Sequence, residues 1–181
     1  MGVIMKAISR PAALRALKAA REELKELTPL KMNCGRLCGG ACCQPDESGE
    51  NGMLLFPFEE EMYRQPIEGF DFHLVEDDTL VKGGKRLVCG GSCPREHRPL
   101  ACRLFPLRIR VETDGLESRP VAELDPRAWA VCPLLEKGGL RAMSPDFIAA
   151  VERAGQHLMH QTDLLEALYN EQRLLDEMRK L

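Results

Sequence analysis

Apolar residues recur every three or four positions between Ser9 and Leu27, so that Leu14, Leu17, Ala20, Leu24 and Leu27 share one helical face. The spacing predicts an amphipathic helix over 9–27. Pro11 falls near its start, where a missing N–H costs little, and Thr28-Pro29 stops it. Ser144 and Pro145 open a second helical segment as N-cap and first-turn proline. A third runs from about Thr162, with Leu164, Leu168, Leu175 and Met178 as its apolar stripe. Asp163 and Glu166 supply a candidate capping box there.

Between these helices the period changes to two. Met53 to Phe56 is a short apolar run, read as a strand that Pro57 ends, and Glu59 to Arg64 reads as a short helix. Residues 71–90 alternate weakly about Gly83-Gly84, which predicts a small hairpin. Leu107 to Thr113 alternates cleanly into the turn dipeptide Asp114-Gly115, and its partner strand is expected near Arg119 to Leu124. Residues 33–52 have no period and read as loop. The expected fold class is α+β and loop-rich: N- and C-terminal helices packed around a cysteine-rich middle with a small antiparallel sheet. One domain is expected over 1–181, with the cysteine-bearing region at 33–134 and helical ends at 9–27 and 144–181.

Composition adds two constraints. A chain of 181 residues should bury roughly 70% of its unfolded surface. Aromatics make up only 5%, so the core must be built from Leu, Ala, Val and Met. The net charge of −3 names no partner. The opening MGVIMKAISR lacks a long apolar stretch, and no run approaches the roughly 18 apolar residues of a membrane span. A cytoplasmic chain without membrane contact is expected, in a compartment that keeps thiols reduced.

That expectation gives the cysteines their weight. Cys34, Cys38, Cys42, Cys43, Cys89, Cys93, Cys102 and Cys132 form two dense groups and an outlier, and unpaired thiols at such density point to metal. Both groups contain one device, Cys38-Gly39-Gly40-Ala41-Cys42 and Cys89-Gly90-Gly91-Ser92-Cys93. Glycine reaches the positive-φ states that a sharp bend around a shared centre needs, and lets backbone N–H groups approach sulfur. Zinc sites use cysteine pairs two to four residues apart, which the x3 spacing satisfies, yet no CxxC knuckle occurs and only His97 is near. All-thiolate ligation and the Cys93-Pro94 and Cys132-Pro133 pairs favour an iron–sulfur cluster, expected as [4Fe–4S], with zinc as the alternative.

Residues 82–110 hold eight Lys/Arg (82, 85, 86, 95, 98, 103, 108, 110) against Glu96 alone, a net +7 that leaves −10 for the remainder. Such a segment can offset an anionic centre and keep its thiolates deprotonated; a solvated basic strand and a patch for anions are the other readings. The scarcity of interleaved aromatics argues against single-stranded nucleic acid. Arg98 and Arg103 flank Cys102, placed either to pair with thiolates and carboxylates of the centre or to clamp an anionic substrate; the first is expected. Glu59, Glu60 and Glu61 could bring a carboxylate to the metal, although a helix's first turn favours acids through its dipole. There is no nucleophile elbow, phosphate-binding loop or HExxH helix, and no catalytic residue is assigned.

CGRLCGGACC, then RPLACRLFP, then a late Cys-Pro resembles the CxxCxxCC cysteine-cluster family, described as a zinc- or iron-chelating domain (YkgJ-like) whose members include flagellin lysine N-methylase. Leu54 to Glu61 (LLFPFEEE) resembles that family's apolar strand and acidic helix start. The resemblance spans Cys34 to Cys132. It differs in having three residues between successive cysteines of the first motif where the family has two, and in placing Cys93 one residue nearer Arg98-Pro99. It implies metal held by the cysteine set. It also raises a second function: a metal-dependent protein-modification enzyme, methyltransferase-like, acting on an unidentified protein substrate.

Overall fold

The clean alternation of LRIRVETD and ESRPVAEL becomes an antiparallel hairpin in the computed structural model, which describes residues 2–32, 34–44 and 52–180, with side chains from residue 9 onward. Strands β4 (Leu107–Asp114) and β5 (Glu117–Leu124) pair in register from Leu107–Leu124 to Asp114–Glu117. The turn is Gly115-Leu116, with Gly115 at φ 61°, one residue later than the dipeptide suggested. A primed two-residue turn needs that positive φ, and glycine takes it without a Cβ penalty.

Against this hairpin lie the terminal helices. Helix α1 (Gly2–Glu23) packs chiefly on α4 (Pro145–Met159), and α4 in turn on β5 and on α5 (Thr162–Met178). Ala13, Leu17, Ala20 and Leu24 are buried with Phe147, Leu158, Leu164 and Leu168 in one apolar cluster. Leu14 is only half-buried and Ala13 takes its expected place. Helix α1 begins earlier than predicted, so Pro11 sits in its interior, and it ends at Glu23. A proline in mid-helix removes one donor; α1 continues because its buried face, not its hydrogen-bond ladder alone, holds it. Ser144 and Pro145 do begin α4, but Ser144 contributes no side-chain cap. The Asp163–Glu166 capping box does not form: Gln161 is the N-cap of α5 and makes no side-chain cap bond. Met178, expected on the stripe, is 46% exposed.

The second sheet has three strands in the order β1 (Gly52–Leu54), β3 (Lys85–Cys89), β2 (Phe72–Glu76), all antiparallel. The expected hairpin is the β2–β3 pair. Leu55, Tyr63, Phe70 and Leu87 form a smaller apolar cluster on it. Two short helices were not predicted: α2 (Gly35–Cys38), within the expected loop, and α3 (Leu100–Leu104), which carries Cys102. Glu59 to Tyr63 forms a 3-10 turn as the short helix was read. Residues 45–51 of the expected loop lie outside the described residues. The architecture is α+β, terminal helices around small antiparallel sheets. Among the described residues no helix is long and apolar enough to cross a membrane.

Candidate metal centre

The two glycine devices set the cysteines. After α2, Gly39 and Gly40 both take the left-handed conformation (φ 63° and 69°) and turn the chain back, so that the 3-10 turn Ala41–Cys43 presents Cys42 and Cys43. At the end of β3, Gly91 (φ 88°) bends the chain from Cys89 toward Cys93. Cys102 rides on α3, and Cys132 follows the 3-10 turn Pro126–Ala130, its amide donating to Ala128 O at 2.8 Å.

These elements enclose a cavity of about 230 Å³. Cys42, Cys43, Cys89, Cys93 and Cys102 line it with Arg98, and Met53, Phe70, Leu87 and Phe105 form apolar wall. Cys34, Cys38 and Cys132 are not among the lining residues, although Val131 is. All eight cysteines are free thiols. Among the described residues no three His, Cys, Asp or Glu side chains come together closely enough to hold a single metal ion. The cavity cysteines therefore stand around a space rather than on a point.

Their electrostatics follow from burial and mutual proximity. Burial pushes the Cys102 thiol well up, and Cys43, Cys93 and Cys89 push the same way. Cys89 is raised by burial, against the pull of the Gly91 amide. The adjacent pair behaves differently. Cys42 Sγ lies 3.9 Å from Cys43 Sγ, and that hydrogen bond, helped by the Arg98 charge, lowers the Cys43 thiol to about 6 against its burial while Cys42 is raised. Arg98 is the cation of the cavity. Burial opposes its charge, but a hydrogen bond to Cys93 and the nearness of Cys43 and Cys102 outweigh it. Its Nε is buried without a hydrogen-bond partner among the described residues.

Six of the remaining bases are used elsewhere, Arg95 on the carbonyls of Lys25 and Leu27 among them. Lys85 pairs with Glu76, Arg86 with Asp77, and Arg108 and Arg110 with Glu123 and Asp176. Arg103, expected beside Arg98 at the cofactor, instead donates to the carbonyls of Arg21, Arg95, Glu96 and Arg98 at 2.9–3.1 Å and does not line the cavity. A guanidinium has five donors in a fixed fork, and here they tie the loop before α3 to α1. The basic segment thus brings one arginine to the thiols, not a field of eight. Arg127 also lines the cavity, but Asp125 and Glu171 hold its Nη2 at 2.6 and 2.8 Å.

Glu59 does not reach the cavity either. It is fully buried and accepts from the amides of Leu100 (2.7 Å) and Phe56 (3.2 Å) and from Arg21 Nη1 (3.3 Å). Burial pushes its carboxyl up, against Arg21 and those amides. Glu61 pairs at the surface with Arg10 and Arg64. Sequence reasoning missed this positioning role of Glu59; the buried neighbours that define it are Arg21 and Leu100, 38 and 41 residues away. Comparison with family models, curated proteins and solved structures finds no match for this chain.

Proposed function

We propose that this chain is a metal-binding protein that holds an iron–sulfur cluster through cysteine thiolates, with Cys43, Cys89, Cys93 and Cys102 as the ligands facing the cavity. The observation that carries the reading is a cavity walled by thiols from the 41–43 turn, the end of β3, the loop that follows it and α3, with Arg98 among them. Four thiolates around a single zinc ion must meet at about 2.3 Å from one point. A cluster spreads its ligands around a volume, which suits sulfurs that surround a space. All-thiolate ligation with N–H groups directed at sulfur is the usual setting of such clusters.

Each residue has a part in this reading. Cys43, the thiol lowered to about 6, is the first to present a thiolate. Arg98 offsets the charge of the filled site and directs N–H groups at its sulfurs. The Gly91 backbone favours the Cys89 thiolate, against the burial that raises it. Arg103, Glu59 and Arg21 hold the loop that carries Cys93 and Arg98 and the start of α3, which carries Cys102. The cluster, when bound, supplies electron transfer or a Lewis-acidic iron.

Anaerobic purification followed by iron, acid-labile sulfide and visible absorption tests this. Brown protein with about four irons and four sulfides per cavity cluster is expected, and Cys89→Ser should bleach it. Colourless protein carrying zinc alone would replace the cluster with the alternative metal. The apolar wall of Met53, Phe70, Leu87 and Phe105 favours a second reading, a protein-modification enzyme of the kind the family resemblance implies, with a substrate side chain seated beside the metal. Covalent modification of a protein in a lysate, lost in Cys89→Ser, would support it.

A further inference from the structure

Large apolar side chains stay exposed at few places. Among the described residues four of the seven come from two short stretches, Met32 and Leu37 from one and Trp129 and Val131 from the other, so the exposure is not scattered. Trp129 is the single tryptophan of the chain and is 62% exposed. It stands between Arg127 and Val131, which both line the thiol cavity, and Val131 shares that wall with Ala41 and Cys42. A second tie joins the same parts of the chain: the Ser144 amide donates to Pro29 O at 2.7 Å. The exposed apolar residues therefore border the cavity on the side where Cys42 is itself exposed.

The charge on this side is of one sign. Residues 28–44 and 126–144 hold Lys31, Arg36, Arg127, Lys137 and Arg141 against Glu136 alone, a net +4 that leaves −7 for the rest of the chain. Arg127 is taken by Asp125 and Glu171. The other four are exposed and make no ion pair among the described residues. Lys31 adjoins Met32 and Arg36 adjoins Leu37, so cation and apolar group alternate along the chain. Exposed Trp, Met and Arg are the residues that protein interfaces gather, and Trp and Arg are their usual anchors. A nucleic-acid surface draws instead on phosphate contacts from many bases. The acids Asp46, Glu47 and Glu50 lie outside the described residues, so the test below carries a probe of each sign.

We infer that Met32, Leu37, Trp129 and Val131, with Lys31, Arg36, Lys137 and Arg141, form the docking surface for a small acidic electron-carrier protein. This rests on the reading of the cavity thiols as ligands of a cluster. The cations steer an acidic partner to this side and set its orientation, and Trp129 and Leu37 supply the contact that excludes water. The carrier then lies over the edge of the cavity. One electron passes from the reduced carrier to the oxidised cluster, which leaves the carrier oxidised and the cluster reduced, with no bond made or broken.

The test titrates the whole chain, purified without oxygen, by calorimetry with an acidic plant-type [2Fe–2S] ferredoxin, and separately with a basic cytochrome c and with duplex DNA. Ferredoxin is expected to bind at low salt and to weaken about tenfold as the Debye length shortens from ~30 to ~8 Å; the other two are not expected to bind. Trp129→Ala and Arg36→Glu should each weaken ferredoxin by about tenfold. Arg15→Glu, at an exposed cation on α1, should leave it unchanged, and circular dichroism checks the fold of all three. Wild-type protein that binds no ferredoxin, or that prefers cytochrome c or DNA, would overturn the surface. So would equal losses in Arg15→Glu and Arg36→Glu. Iron and sulfide counts keep the two readings apart. Brown protein that binds no ferredoxin removes the docking surface and leaves the proposed function standing. Colourless protein that binds it keeps the surface and removes the cluster. The wild-type titration needs no variant to fold.

Discussion

Glu59 carries more of this molecule than its place in an acidic run suggests. Its carboxylate accepts from the first amide of α3 and from Phe56, and faces Arg21, whose second nitrogen donates to Glu96 O at 3.0 Å. Tyr63 donates to His97 O at 2.8 Å, completing the hold on the segment between Cys93 and Cys102. Removing one member of a buried charged pair leaves the other uncompensated, and each stranded amide adds to the cost. Glu59→Ala is therefore expected to destabilise the metal-free protein by roughly 3 kcal/mol or more, read from urea unfolding by circular dichroism. Glu59→Gln keeps an acceptor and should lose less. A loss below about 1 kcal/mol in the alanine variant, the size of an ordinary hydrogen bond, would mean that the network does not hold the loop. This role was invisible along the chain. Three consecutive glutamates at a helix start look alike, and only tertiary contact separates the buried one from Glu61, which pairs at the surface. The cysteines are the opposite case. Type and spacing make thiolate chemistry the expectation, and the glycine devices appear as left-handed Gly39, Gly40 and Gly91. Cys132, far along the chain, is not among the residues that line the cavity.

Elements were legible where one period persisted. The β4–β5 hairpin and the apolar face of α5 follow from alternation and from three–four spacing, while α4 was legible only by its start at Ser144-Pro145. Helix α3 is five residues long, too short for a helical period to emerge, and β1 joins β3 across more than thirty residues that no local pattern links. Packing between elements gives two predictions. Gly155 in α4 lies against the hairpin: a Cβ there would stand 2.4 Å from Pro120 Cβ and 3.0 Å from Ile109 Cγ2. Helix propensity alone makes Gly→Ala favourable by roughly 1 kcal/mol, but overpacking a fixed core costs roughly 1–3 kcal/mol. Gly155→Ala should thus lower the urea midpoint, and a rise would show that β5 yields. The second concerns acid. Arg108, 2% exposed in β4, donates to Glu123 and Asp176 at 2.9 and 2.7 Å, joining the hairpin to α5. Burial raises both carboxyls, and the bonds from Arg108 with Arg110 or Arg179 outweigh it, so both are held below their ordinary 4.5 and 3.8. A carboxylate whose folded pKa is depressed stabilises the fold above its unfolded value and loses that contribution as pH falls through the folded one. Stability should fall with acid from about pH 4.5 downward, and Asp176→Asn should flatten that fall. An unchanged acid profile in the variant would remove the network from the account.

At the scale of the whole molecule there are two unequal cores, with Cys132 packed against the larger and Cys89 and Cys93 against the smaller. The larger runs from Ala13 through the β4–β5 hairpin to Leu168, and the smaller gathers Leu55, Tyr63, Phe70 and Leu87 under the three-stranded sheet. Tyr63, Phe70 and Phe72 pack with ring centroids 4.7–6.4 Å apart, so the small cluster rests on few side chains. A three-stranded sheet with so small an apolar face is close to the limit of independent stability. Metal binding is coupled to folding because the ligands are brought together only in the folded state. A centre shared by Cys43, Cys89, Cys93 and Cys102 would join the end of β3 to α3, and through α3 to α1. Removing the metal should therefore act unevenly. Hydrogen exchange is expected to speed up in β1, β2, β3 and the 34–44 turns after chelation, while α4, α5 and the β4–β5 hairpin keep their protection, since locally weak units open below the global free energy. Uniform loss of protection would mean that the metal holds the entire fold. No change in the sheet would mean that the small core stands without it, and that the cysteines near Cys89 serve chemistry rather than structure.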